Sequence, residues 1–600
     1  MRIKVSDYIA QFLYDNGITD CFTVVGGGAM HLNDSFGNHS GIRCTYNHHE
    51  QASAIAAEAY YRINNKLALC CVTTGPGGTN AITGVVGAWL DSIPMLVISG
   101  QVRYDTTARS TGLPIRSLGD QEFDICKAVS CMTKYCTMVT EPLSIKYHLQ
   151  KALYLAKQGR PGPSWLDIPL NVQGAYIDTD DITEEFKPDD SMFAASDGDI
   201  DAIISKLKTS ERPVIIAGSA VRTSGAYKDF SELIGKMGVP VTTCWNSIDL
   251  IEDDNPLYVG RGGIMGDRAG NFAVQNADFV LALGSRLSIR QVGYNYKTWA
   301  REAFVAAVDI DGAELKKPTV HIDLPICADV KSVIGRLSAK ITSPLSDYSK
   351  WVNTCIQWKN DYPVVQKKHF DDTDKANVYA FIKTLSSSLP KDAVTVVGNG
   401  SACVVGSQAY VIKNRSRFII NSAIASMGYD LPAAIGTARA ADSDIICISG
   451  DGSIQMNLQE LQTIKTNKLP VKIFVINNSG YHSIRQTQSN LFESRFVGIG
   501  QESGDLEFPP LEKLAAAYGY DYLSCNSNTQ LGEFVNRTLS HSGSVIAEVF
   551  VGTKQNFEPK SSAKKLPDGT LVSPPLEDMA PFLPDDEMDR IMIIPRINND

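Results

Sequence analysis

The chain has 600 residues, 44% of them hydrophobic and 20% charged, with a formal net charge of −10. That length accommodates about three domains of average size, and an acidic balance with no basic run speaks against nucleic acid or anionic lipid as a general partner. No stretch reaches the roughly 18 consecutive apolar residues of a membrane span, and the thirteen cysteines, scattered singly apart from Cys70-Cys71, read as thiols of a reducing compartment rather than a disulfide or zinc framework. A cytoplasmic protein is expected.

The recurring pattern is a short apolar strand, a Gly-rich turn and an amphipathic helix, the sequence form of a doubly wound α/β parallel sheet. It falls into three blocks. The first, residues 1–175, opens on a helix predicted over Met1 to Asn16, with Ile3, Tyr8, Ile9, Phe12 and Leu13 as its apolar positions. It continues through Gly26-Gly27-Gly28-Ala29-Met30, then His48-His49-Glu50-Gln51 ahead of a small-residue helix from Ala52 to Tyr61. Taken alone, Glu50 is only an acidic residue favoured by the helix dipole. Gly75-Pro76-Gly77-Gly78-Thr79-Asn80, Asp91-Ser92-Ile93-Pro94, Gly100-Gln101-Val102, Gln121-Glu122 and Arg160-Pro161-Gly162-Pro163 punctuate the rest.

A polar stretch from Asp178 to Asp201 reads as a linker. The second block, residues 195–340, begins at the strand Pro213 to Ala217 and carries turn segments at Gly218, Gly263, Gly284-Ser285-Arg286, Arg290, Asp309-Ile310-Asp311 and Ala328-Asp329-Val330. After a second linker, Thr342 to Lys350, the third block covers 351–552. Residues 553–600, dominated by Pro, Asp, Glu and Lys, are expected to form a tail with little structure of its own.

Chemistry concentrates in the third block. The buried strand Asp444 to Ser449 runs into Gly450-Asp451-Gly452-Ser453; Ile454, Leu458, Leu461 and Ile464 follow at helical spacing, and the strand Val471 to Ile476 ends at Asn477-Asn478. In such a βαβ unit both strands emerge at the carboxyl edge, where open α/β sheets bind ligands. The Asp451 carboxylate, the Asn478 amide oxygen and the Gly480 backbone carbonyl are three hard oxygen donors for Mg²⁺, which takes its remaining ligands from phosphates and water. Gly452 and Ser453 add N–H groups for phosphate oxygens. Either turn by itself is ordinary loop chemistry; the pair, 27 residues apart on one βαβ unit, is more specific.

This spacing resembles the signature of thiamine-diphosphate enzymes, which begins Gly-Asp-Gly and ends Asn-Asn, and from Met1 to about Gly552 the chain resembles the large catalytic subunit of acetohydroxyacid (acetolactate) synthase. The resemblance implies three parallel-sheet domains, thiamine diphosphate with Mg²⁺, and a catalytic set of Glu50, Gln121 and Gly27. Glu50 is the position that contacts the aminopyrimidine ring and drives its tautomerisation. Ala425 supplies a carbonyl to the 4′-amino group and Met427 the apolar wedge that bends the cofactor, with a core methionine as the plain alternative. Asn399, Gly400, Ser401 and Tyr481 complete the cofactor contacts.

FAD is implied by Arg160, Gly218, Gly263, Gly284, Arg286, Arg290, Asp309 and Asp329; a central domain that has lost its nucleotide, or binds ADP, is the alternative. The implied activity is decarboxylation of a 2-keto acid, pyruvate first, with transfer of the two-carbon unit to a carbonyl acceptor, in a homodimer or homotetramer. A simple decarboxylase and an inactive binding or regulatory paralogue stay open. So does the acceptor, because the synthases carry Gln-Trp where this chain has Gln486-Thr487, Ala-Phe where it has Gly119-Asp120, and Pro where it has Arg103. Those departures imply a wider, more polar pocket, compatible with a keto sugar nucleotide. The segment Pro575 to Phe582 is placed either as a lid over that pocket or as surface padding.

Overall fold

The computed structural model describes residues 1–189, 193–371, 374–565 and 569–597. Its frame is three six-stranded sheets flanked by helices, with parallel pairing throughout each sheet. Across the first, the strands run Arg43–Tyr46, Asp20–Thr23, Leu69–Val72, Met95–Gln101, Pro163–Pro169, Tyr135–Met138. Across the third they run Arg417–Ile420, Val394–Val397, Ile445–Gly450, Val471–Asn477, Val545–Phe550, Asp521–Cys525. Numbered within their own sheets, both read 2-1-3-4-6-5. The sequence shows no repeat, so the shared topology emerges only in three dimensions.

The central sheet differs: Tyr258–Arg261, Val241–Thr243, Pro213–Ala217, Phe279–Leu283, Phe304–Asp309, Leu324–Cys327, or 3-2-1-4-5-6, the order of dinucleotide-binding sheets. In every sheet the chain reverses direction beside its first strand. Loops diverge there and leave a crevice at the carboxyl edge.

The helix Glu50–Asn64 joins the first and third sheets. Its alanines allow close approach on two sides: a Cβ on Gly84 would lie 2.6 Å from that of Ala54, and one on Gly436 would lie 2.0 Å from the Ala56 carbonyl oxygen. It is therefore sandwiched between the helices Pro76–Leu90 and Asp430–Ala440, and one hydrophobic core runs continuously through both domains.

Several elements depart from the sequence reading. Arg2–Lys4 is a strand paired antiparallel with Tyr176–Asp178, and the first helix is Val5–Asp15; a ladder to a partner so distant in sequence leaves no mark on local periodicity. The first linker ends early, at a helix Asp197–Thr209 opened by a Ser196/Asp199 capping box, and its residues 190–192 lie outside the described residues. The helix Ser349–Asp361 buries Trp351 and Trp358 beside Phe272 of the central domain, with Trp351 Nε1 donating to the Pro213 carbonyl at 2.9 Å, so the start of the third block packs with the second.

The described residues of the tail are ordered rather than structureless. Leu576, Met588, Ile591 and Ile594 enter the central core cluster, and the tail includes a helix, Asp585–Ile591. Its Pro575–Phe582 motif is anchored on the central domain, where Glu577 pairs with Arg301 at 2.8 Å and the Met579 carbonyl accepts from Arg268 at 3.1 Å. Buried apolar contacts and a charge pair hold it in place, and composition alone hides them.

Under the edge of the first sheet, Asp167 is fully buried and accepts from Ser99 Oγ at 2.6 Å and Gln101 Nε2 at 3.1 Å. Burial pushes its carboxyl from 3.8 up to about 7, against the pull of those two donors. A folded-state value above the unfolded one means the native chain holds the proton more tightly, so the stabilisation is complete below about pH 4 and is lost as pH rises to about 7. At about 1.4 kcal/mol per unit this is on the order of 4 kcal/mol. Asp167→Asn, neutral throughout, is expected to flatten the fall in unfolding midpoint between pH 5 and pH 8; a variant as pH-dependent as the parent would show that Asp167 ionises at its ordinary value.

Candidate functional site

The strands Ile445–Gly450 and Val471–Asn477 are register neighbours, so the turns that follow them meet. Asp451, 8% exposed, accepts from Gly452 N at 3.0 Å through one oxygen and from Gly480 N at 2.8 Å through the other. Burial pushes its carboxyl up to about 7, opposed by those same N–H groups. Asn478 donates from Nδ2 to Ser401 Oγ at 3.1 Å, while its buried Oδ1 has no hydrogen-bond partner. An orphaned amide oxygen inside a protein costs free energy unless something fills it. It lies in the same pair of turns as the Asp451 carboxylate, an oxygen donor set that suits Mg²⁺.

Ser401 begins the helix Ser401–Ala409 after Gly400, whose φ of +72° needs glycine. The N–H groups of this nine-residue helix open at the same edge, a setting for phosphate oxygens. Gly398 has equally little choice, since a Cβ there would lie 2.3 Å from Asp430 Oδ2. Asp430 in turn accepts from Ser453 Oγ at 2.7 Å, and Ser453 Oγ accepts from Gly428 N at 3.1 Å. Gly450 and Gly452 flank Asp451 in the turn, and the Tyr481 ring stands edge-on to Phe508, 5.5 Å between centroids.

The loop carrying Ala425 and Met427 is tied to this clamp. Ala425 adopts φ +53°, an uncommon conformation for a residue with a Cβ, and its carbonyl accepts from Asn399 Nδ2 at 2.6 Å. A carbonyl oxygen has a second lone pair, so a further donor can share it. Met427 is half-buried. The clamp, residues 399–401 and the loop 425–428 thus form one site.

Glu50, Gln121 and Gly27 lie elsewhere, together at the carboxyl edge of the first sheet. Glu50 is the first residue of its helix, 9% exposed, and accepts from Asn80 Nδ2 at 3.0 Å. Gln121 is exposed at φ +59°, with its carbonyl over Gly75, where a Cβ would approach to 2.5 Å. Gly27 is exposed in the turn Gly27–Ala29. Glu122 holds the neighbouring loop by accepting from the backbone N–H groups of Ala108, Leu118 and Gly119 at 2.6, 2.6 and 3.1 Å. Around this edge Val25 is 60% and Leu113 61% exposed, with Met30, Tyr46, Leu118 and Phe123 beside them in the exposed class.

At the central crevice the chain brings together Arg160, Gly218, Gly284, Arg286, Arg290 and Asp309. Gly218 and Gly284 are back to back: a Cβ on Gly218 would meet the Gly284 carbonyl oxygen at 2.1 Å. Arg160 donates to Ser92 Oγ at 2.9 Å, Asp311 at 3.1 Å and Glu314 at 2.8 Å. The Arg290 guanidinium stands 5.0 Å from the Trp245 ring centre, and burial pushes the Asp309 carboxyl up. Gln291 Nε2, buried in the wall, has no partner, which suits a ligand with acceptor atoms.

Two expected members fall outside the crevice lining. Asp329 caps the helix Val330–Lys340, accepting from Lys331 N at 2.8 Å. Gly263 has φ +112° and stands behind Arg290, whose carbonyl a Cβ would approach to 2.5 Å. The sequence reading did not single out Asn80, Asp430 and Gln291. Asn80 alone carried a signal, as the last residue of a Gly-rich helix start.

Three parallel sheets with a diphosphate-type clamp on the third and a buried helix-start glutamate on the first define a thiamine-diphosphate-dependent enzyme. Residues 3–127 match the family model for the thiamine pyrophosphate enzyme N-terminal TPP binding domain, 200–337 that for the central domain, and 398–549 that for the C-terminal TPP binding domain. The acetolactate synthase large subunit of Lactococcus lactis is 31% identical over 92% of this chain and 93% of its own length. The isozyme 2 large subunit of Escherichia coli is 30% identical over 92% and 96%, and chloroplastic acetolactate synthase 2 of Zea mays 28% over 93% and 86%. The chain belongs to the thiamine-diphosphate-dependent acetolactate synthase large-subunit family. Among the described residues no helix is long and apolar enough to cross a membrane.

Proposed function

We propose that the protein decarboxylates a 2-keto acid, pyruvate first, and transfers the two-carbon unit to a carbonyl acceptor, using thiamine diphosphate held through Mg²⁺. The observation that carries this is the unpartnered Asn478 Oδ1 in the turn beside the Asp451 carboxylate, at the edge where Ser401 starts its helix. Asp451, Asn478 and the Gly480 carbonyl would hold the metal, with Gly450, Gly452, Ser453, Gly400, Ser401 and Tyr481 around the diphosphate. Thiamine diphosphate, when bound, supplies the electron sink for loss of CO₂. Glu50, oriented by Asn80, holds the proton that favours the imino form of the pyrimidine; Ala425 offers its second lone pair, Met427 supports the bend, and Gln121 and Gly27 orient substrate.

FAD is assigned to the central crevice, on its strand order and the unpartnered Gln291 amide. The chain divides into domains 1–175, 195–340 and 351–552 with a C-terminal extension, and works as a homodimer or homotetramer in which the apolar rim around Glu50 is covered by another copy. Exposed apolar patches of this kind mark association surfaces. The unpaired cysteines fit a cytoplasmic setting.

A polar or bulky acceptor, a keto sugar nucleotide among them, is favoured by Thr487, whose side chain is exposed and bonds back to the Ser483 carbonyl at 3.1 Å. Mass spectrometry of products from pyruvate alone and with a panel of carbonyl acceptors tests the whole reading. A carboligated product is expected. Acetaldehyde alone would reassign the protein as a decarboxylase, and cofactor binding without CO₂ release from any 2-keto acid would make it a binding paralogue.

A further inference from the structure

The helix that begins with Glu50 carries a buried ion triad further along. Glu58 is 1% exposed, and Arg62 pairs with it and, at 2.7 Å, with Asp91. Each carboxylate has a second duty. Glu58 accepts from the Tyr429 hydroxyl at 2.8 Å, and Asp91 accepts from Ser422 N at 3.1 Å and Ser422 Oγ at 3.2 Å. Ser422 and Tyr429 are the two ends of the segment that contains Ala425 and Met427. The triad therefore brackets that segment at both ends, and Arg62 is the rigid tie between the brackets.

One bracket is also a wall of the central crevice. Asp91, Ser92, Ser422 and Ala423 all line it, Ser92 adopts φ +58°, and its hydroxyl accepts from Arg160. The backbone of Arg62 and Ile63 is held in turn by Arg417, which donates to their carbonyls at 2.7 and 3.3 Å and to Asp249 at 2.8 Å. Asp249 also faces Arg222 of the central domain at 3.6 Å. A ligand in the crevice thus touches residues that fix the start of the 422–429 segment, and a ligand at the thiamine site touches its middle.

We infer that Glu58, Arg62 and Asp91 are positioning residues that couple the central nucleotide crevice to the thiamine-diphosphate site by fixing the 422–429 segment. This rests on the assignment of those two ligands made above. Two ligands that each favour the same ordered arrangement of one segment must raise each other's affinity by the same factor. Buried ion pairs lose fold stability when one partner is deleted, so the informative changes are the mild ones: Tyr429→Phe and Ser422→Ala remove one hydroxyl each, from opposite brackets, and leave the triad intact.

The experiment is calorimetric titration of thiamine diphosphate with Mg²⁺ into full-length protein stripped of both cofactors, with and without saturating FAD, alongside FAD titration with and without thiamine diphosphate. In the parent chain the thiamine-diphosphate Kd is expected to fall at least about fivefold when FAD is present, with the same factor in the reciprocal titration. The double variant Tyr429→Phe/Ser422→Ala is expected to bring that factor to near one while still folding and binding each ligand alone. Arg62→Lys, which keeps the charge but not the fork, should do the same if it folds. A parent factor of one with both ligands bound, or a factor unchanged in the double variant, overturns the coupling alone. A parent that binds thiamine diphosphate but no FAD overturns the flavin assignment and the coupling together.

Discussion

Glu50→Gln is expected to lower CO₂ release from pyruvate by about 10²–10⁴-fold, the usual contribution of a positioned proton-transfer group, while thiamine diphosphate still binds. The substitution is nearly isosteric, and a Gln side-chain oxygen can still accept from Asn80 Nδ2. What changes is the proton. A carboxyl group can share one with a ring nitrogen and take it back; a carboxamide cannot. The structural cost is small, because the helix loses only an N-terminal negative charge, about 0.3–1 kcal/mol, and Glu50 lies at the rim of the first sheet rather than in the Glu58–Arg62–Asp91 triad. Turnover and calorimetric cofactor affinity, measured on the same preparation, separate loss of chemistry from loss of binding. A variant that turns over like the parent would remove Glu50 from the mechanism.

Asp451→Ala is expected to weaken Mg²⁺-dependent binding of thiamine diphosphate by more than about a hundredfold, above the 10- to 100-fold typical for residues that only orient a metal ligand. The side chain both contributes charge and organises the clamp, since its two oxygens hold the N–H groups of Gly452 and Gly480 and so set the turns on either side of the metal position. Its removal leaves those donors buried without an acceptor. Asp451→Asn keeps an oxygen and loses the charge, and an intermediate affinity is expected. If thiamine diphosphate bound the alanine variant with parental affinity, or bound the parent equally well after chelation of divalent metal, the clamp would have to be placed elsewhere.

The Glu50 and Asp451 substitutions address two groups of residues that are held by different bonds. Asp451, Asn478, Ser401 and Ala425 are knitted into one site by bonds of 2.6 to 3.1 Å. Glu50 is bonded instead to Asn80 on the first sheet. The exposed apolar residues Val25, Met30 and Leu113 lie around that first-sheet edge.

Local sequence alone determined the parts governed by short-range physics. A buried strand feeding Gly450-Asp451-Gly452 and a second ending at Asn477-Asn478 deliver both turns to one edge because the two strands of a βαβ unit run parallel; the meeting of the turns was legible for that reason. Tertiary structure decided whatever depends on which distant residue comes close. Gly263 stands behind the Arg290 carbonyl and the tail is fixed on the central domain through Glu577 and Leu576, because a side chain's role follows from its neighbours and not from its type. The common strand order of the first and third sheets, the 3-2-1-4-5-6 order of the second and the pairing of Arg62 with Asp91 belong to the same group. Each is a relation between residues tens to hundreds of positions apart, set by packing and burial, and no periodicity within a window of sequence records it.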